Sequence, residues 1–97
     1  MQLTDRPVIN PVVVLREEFD DWAVLFNPDT AAAIGINPMA VMIWKRLDGT
    51  RTLQDVVAAI EQDYADVPGS VANDVVTFVD QLTQQGFVGM TIDQGAA

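Results

Sequence analysis

Fourteen carboxylates, with no histidine and no cysteine, are what this 97-residue chain offers to chemistry. Without imidazole or thiol, the usual general base and nucleophile are missing. Disulfides and thiolate metal sites are ruled out as well. The acids that adjoin are Glu17-Glu18 and Asp20-Asp21. A catalytic carboxylate pair needs burial to separate its two pKa values, whereas these pairs read as a solvated turn. Asp20, Asp21, Asp29, Asp63 and Asp66 do not have calcium-loop spacing, and no glycine-rich phosphate cradle is present. No cofactor, no metal and no enzymatic activity are expected.

Charge narrows the partners. The formal net charge is −9, and the only basic residues are Arg6, Arg16, Lys45, Arg46 and Arg51. Nucleic-acid binders release counterions with clustered Lys and Arg, so a nucleic-acid role is disfavoured. Anionic membrane surfaces are disfavoured for the same reason. No apolar run approaches the ~20 residues that span a bilayer. The first ten residues, MQLTDRPVIN, lack the basic and then apolar segments of a signal peptide, so a cytoplasmic location is expected. The acidity favours solubility and fast encounter with a basic partner.

The elements that must position any site follow from periodicity. Residues 1–10 have no clear period and are expected as a flexible lead-in. Residues 11–18, with the run VVVLREE after Pro11, predict a first strand. Residues 22–27, starting WAVLF, predict a second strand in a hairpin across Phe19-Asp20-Asp21, with Asn27-Pro28-Asp29 as the next turn. Residues 31–36, AAAIGI, predict a third. Asn37 then caps a helix over 38–48, with Pro38 at its first position, a stripe of Ala40, Ile43, Trp44 and Leu47, and Gly49 at its end. Thr52 with Asp55 opens a helix over 53–64, whose stripe is Leu53, Val56, Val57, Ile60 and Tyr64. Ser70 opens a third over 71–85, lined by Val71, Val75, Phe78, Val79 and Leu82 and closed by Gly86. Phe87 and Val88 fold back, and 91–97 is expected as a flexible tail. The fold class is α+β, a three-stranded antiparallel sheet followed by three helices in one domain over residues 11–90. Trp22 and Trp44 are both expected in the core.

Several stretches, in order, resemble the PqqD-like family, also described as the RiPP precursor-peptide recognition element. They are "VVVLREE" with Arg16, "WAVLFNP", "INPMAVMIWKRLDGTRTL" and "FVDQLTQQGFVG", with the Asn37 cap, Trp44 and the Leu47-Asp48-Gly49 ending the most telling. The resemblance implies a winged-helix-like, non-catalytic peptide chaperone of natural product biosynthesis. Such a protein binds the leader peptide of a ribosomally made precursor and presents it to a modifying enzyme, often a radical SAM enzyme. The leader adds as a strand to the third strand, beside the third helix.

That implication gives meaning to an otherwise bland strand. Exposed sheet edges are normally blunted by charge or proline, yet Ala31, Ala32, Ala33, Ile34, Gly35 and Ile36 carry neither. Strand addition draws affinity from backbone hydrogen bonds and specificity from pockets, so small host side chains suffice. Val76, Val79, Asp80 and Thr83 widen one side of the third helix and are the expected groove wall. The open edge could instead pair with a second copy as a homodimer. A winged-helix DNA binder is disfavoured because residues 70–85 contain no Lys or Arg. An acyl carrier protein does not suit the strand-rich first half. The alternative reading is a small acidic partner-binding subunit without a peptide role.

Overall fold

The computed structural model describes residues 1–18, 20–64 and 66–90. Eight elements follow in order: β1 (Pro7–Ile9), β2 (Val14–Glu17), β3 (Ala23–Asn27), β4 (Ala32–Ile36), α1 (Pro38–Lys45), α2 (Leu53–Asp63), α3 (Val71–Gln84) and β5 (Val88–Met90). The expected antiparallel sheet is present in the order β2-β3-β4, followed by the three expected helices. Register is set so that Leu15, Leu25 and Ile34 share one row on the inner face. Among the described residues no helix is long and apolar enough to cross a membrane.

Two turns shape the sheet. Between β2 and β3, Asp20 and Asp21 both take positive φ, a conformation that short polar side chains tolerate, and Glu18 N–H donates to Trp22 O at 2.8 Å. Between β3 and β4, the Asn27 side-chain oxygen accepts from Asp29 N–H at 3.0 Å, an Asx turn.

Helix starts follow the caps. Asn37 Oδ1 accepts from Ala40 N–H at 2.8 Å, with Pro38 at the first helical position. Thr52 and Asp55 exchange hydrogen bonds in a complete capping box. The Thr52 backbone and side-chain bonds hold the Asp55 carboxyl below its ordinary value. Bonds from the Thr50 side chain and backbone do the same for Asp48. Ser70 makes no side-chain bond to the backbone of α3. Its hydroxyl donates to Asp74 Oδ2 at 3.0 Å instead.

One apolar cluster joins Ala23, Leu25 and Ile36 of the sheet to Trp44, Leu53, Ile60, Val75, Val79 and Leu82 of the helices. Trp44 is only 3% exposed.

Several expectations need correction. The stretch 1–10 contains a strand: β1 pairs with β5, and Asn10 N–H donates to Phe87 O at 2.9 Å. Three residues are too short for periodicity to reveal, and the partner lies at the other end of the chain. The first strand of the main sheet begins at Val14 rather than at residue 11. Asn10 ties residues 10–13 into a turn, with its carbonyl accepting from Val13 N–H and its side chain from Val12 N–H. Helix α1 stops at Lys45, and Arg46 and Leu47 donate to Ile43 and Trp44 in a tightened last turn. Gly49, at φ 82°, serves the following turn and donates to Pro7 O at 3.1 Å. Trp22 is 51% exposed and lies on the outer sheet face, because its position has the parity of Val24 and not of Leu25. Tyr64 is 37% exposed, since it follows the last turn of α2 in extended backbone. The tail expected over 91–97, and Phe19 of the first turn, lie outside the described residues.

Candidate functional site

The three-stranded sheet has two edges, and they differ in chemistry. The β2 edge carries Arg16 and Glu17, while β4 carries no charge and no proline. Charge on an edge blocks pairing by another chain, so β4 is the edge left open. Its burial alternates: Ala32 and Ile34 are half-buried against the core, Ile36 is buried, and Ala33 and Gly35 are exposed on the outer face. The inward side chains anchor the strand, and what it offers sideways is backbone. Ala31 falls outside β4; it sits in the preceding turn at φ 61°.

The start of β4 is tied, through its neighbour β3, to the end of α3. At its start, Ala32 pairs with Asn27. The buried Asn27 amide donates to Gly86 O at 3.1 Å, just past the end of α3. Asn10 Nδ2 donates to the same carbonyl at 3.1 Å. Gly86 permits this convergence because it takes φ 82°, and a Cβ there would lie 3.3 Å from the Asn27 amide nitrogen. At the other end of β4, Asn37 lines a cleft of about 240 Å³ with Met39, Ala40, Pro68, Asp74 and Phe78. Strand β4 therefore runs antiparallel to α3, ending at a mostly apolar cleft with one carboxylate on its wall.

This geometry sorts the residues expected on the third helix. Val79 is fully buried, so it belongs to the core and offers no surface to a ligand. Val76, Asp80 and Thr83 are half-exposed. They lie on the flank away from the cleft, because at about 100° per residue Val76 and Asp80, two residues from Phe78, and Thr83, five residues from it, are all turned by roughly 140–160° from Phe78. The side of α3 that the structure brings to the cleft carries Asp74 and Phe78 instead. Phe78 is half-buried, so part of its ring remains available. Sequence reasoning placed Phe78 in the core stripe and did not place Asp74 at all. The Asn37-Pro38 cap marks where β4 hands over to α1, but no local signal marks which flank of α3 meets the cleft.

The family described as coenzyme PQQ synthesis protein D matches residues 23–88. A "PqqA binding protein" from Pseudomonas paraeruginosa (strain DSM 24068 / PA7) is 30% identical over 89 residues, covering 84% of this chain and 94% of that protein. Two solved structures share the fold. "TbiB1 in Complex with the TbiA(beta) Leader Peptide" has a TM-score of 0.73 at 24% identity and covers 89% of this chain and 99% of that one. "Lasso peptide synthetase B1 complexed with the leader peptide" has a TM-score of 0.72 at 19% identity, with 87% and 98% covered.

Proposed function

The chain belongs to the PqqD family, and from that premise we propose that it captures the leader segment of a ribosomally made precursor peptide and presents it to a modifying enzyme. The leader adds as an antiparallel or parallel strand to β4, along 32–36, and seats side chains in the cleft bounded by Asn37, Asp74 and Phe78. The observation that carries this reading is the contrast between a charged β2 edge and an uncharged β4 edge that ends in an apolar cleft. The relative named for binding PqqA supports it. So does the fold shared with two proteins solved with leader peptides. The chain's part is binding rather than catalysis, in keeping with a sequence that has no histidine or cysteine. The modifying enzyme in this reading is a radical SAM enzyme, and the complex works in the cytoplasm.

Main-chain pairing has a period of two, and that supplies the test. A synthetic leader peptide of the PqqA type is methylated at one backbone nitrogen at a time and titrated by calorimetry. Alternate positions should lose affinity, because only every second N–H of an added antiparallel strand faces the host. Uniform affinity across the series would sink strand addition. Dimerisation of the chain through β4, if present, should be reversed by the unmodified leader, since both would use the same edge.

A further inference from the structure

The outer face of the sheet carries an exposed apolar patch that the peptide edge does not use. Register aligns Val14, Phe26 and Ala33 in one row and Arg16, Val24 and Gly35 in the next. Trp22 lies beyond them, joined to Glu18 across the turn. Val14 is 52% exposed, Trp22 51% and Phe26 40%. Single exposed apolar residues need no explanation, but contiguous ones mark interaction surfaces. Beside Trp22 is a hollow of about 440 Å³ lined also by Glu18, Asp20, Val24 and Gly35. Gly35 helps keep it open, since nothing lies within 4 Å of where its Cβ would be.

We propose that this outer face is a second docking surface, for a protein partner that presents an arginine into the hollow beside Trp22. The chemistry of the walls selects the occupant. An indole face attracts a cation, and a planar guanidinium both stacks on it and forks to carboxylates, which an ammonium does less well. Glu18 is shared with Arg16 at 3.6 Å, whereas Asp20 has no ion-pair partner among the described residues. The surrounding chain is strongly acidic at −9, so the complementary surface is basic around an apolar centre. A second copy fits poorly, because bringing two chains that each carry −9 together adds like-charge repulsion to the contact. The surface lies on the opposite face of the sheet from the helices, and a strand added to β4 would meet it only along its Ala33–Gly35 border. It stands independently of the leader reading.

The test uses the whole chain, labelled with nitrogen-15, and two short probes. One is acetyl-Val-Arg-Val-amide; the other replaces arginine by citrulline, which keeps the shape and removes the charge. The arginine peptide should move the Trp22 indole N–H and the Ala23 and Val24 amides of the central strand saturably, and leave the Trp44 indole N–H unmoved. Citrulline should bind about two- to fivefold more weakly, the worth of an exposed cation–π contact. The double variant Glu18→Gln, Asp20→Asn should weaken the arginine peptide and leave the citrulline peptide unchanged. Asparagine shares the tolerance of aspartate for positive φ, so the turn is kept. Equal binding of both probes, shifts confined to the cleft beside α3, or dimerisation through this face would overturn the proposal. Neither probe contains leader sequence, so a failed leader titration leaves this result readable.

Discussion

The two tryptophans separate the jobs that single residues do here. Trp44 is 3% exposed and joins the cluster that holds sheet to helices. Trp44→Ala should cost about 3–5 kcal/mol by leaving a cavity, read as a fall in the denaturant midpoint. Trp22 is half exposed on the outer face, and Trp22→Ala should change stability by no more than ~0.5 kcal/mol. Asp55 gives a pH-dependent counterpart. Bonds from Thr52 hold its carboxyl below the ordinary value of 3.8. The stabilisation is therefore present above that pH and is lost as pH falls through the lowered value. Asp48, lowered chiefly by its bond from the Thr50 hydroxyl, adds in the same direction. Thr52→Ala should cost ~1 kcal/mol near neutral pH, as lost N-caps do. Its stability should also depend less on pH below 3.8 than the parent's. Urea unfolding followed into that range checks both.

At the scale of elements, α3 has two flanks with different fates. The flank with Asp74 and Phe78 faces the cleft, and that with Val76, Asp80 and Thr83 does not. Phe78→Ala should weaken leader binding about tenfold or more, as loss of a central anchor does. Val76→Ala should change it less than about twofold. Calorimetry well below each unfolding midpoint separates binding from folding, and the reverse ranking would move the site to the other flank. Strand β1 is the second informative element. It pairs with β5, and its Pro7 carbonyl accepts from Gly49 N–H, joining three distant parts of the chain. Removing residues 1–9 should lower the melting temperature by more than the ~4–8 °C that one kcal/mol is worth in a domain of this size. An unchanged melting temperature would show that β1 adds nothing to the core.

For the whole molecule, charge sets kinetics more than affinity. With a net charge of −9, association with a basic partner should be fast at low salt and slow severalfold as ionic strength rises, with dissociation changing little. Stopped-flow measurements on a leader and on the same leader with two added lysines check this; the lysine-bearing peptide should show the steeper salt dependence. The molecule presents two surfaces of unlike kind. One is an edge whose currency is backbone hydrogen bonds, and the other is a face built from Trp22, Phe26 and Val14. The function proposed above, holding a peptide for a partner enzyme, has use for both.

Much of this was legible in the sequence, and for local reasons. The Asn37-Pro38 and Thr52-Asp55 starts are short-range hydrogen-bond chemistry, so they could be read and were found in place. The order of three strands and three helices follows from runs whose period reports one buried face. The uncharged character of 32–36 is likewise a property of composition alone. What the sequence could not determine is which side of an element meets which neighbour. Trp22 was expected inside because a run of apolar residues does not reveal its parity, and only pairing with β2 and β4 sets that. Val79 was expected on a groove wall and proved fully buried, while Phe78 reached the cleft. A wide apolar helix face has two flanks, and the sequence does not mark which one the sheet will leave open. Strand β1 was missed because its partner is some eighty residues away. Local preference is written in the chain; the choice of partner is made only when distant surfaces compete for the same burial.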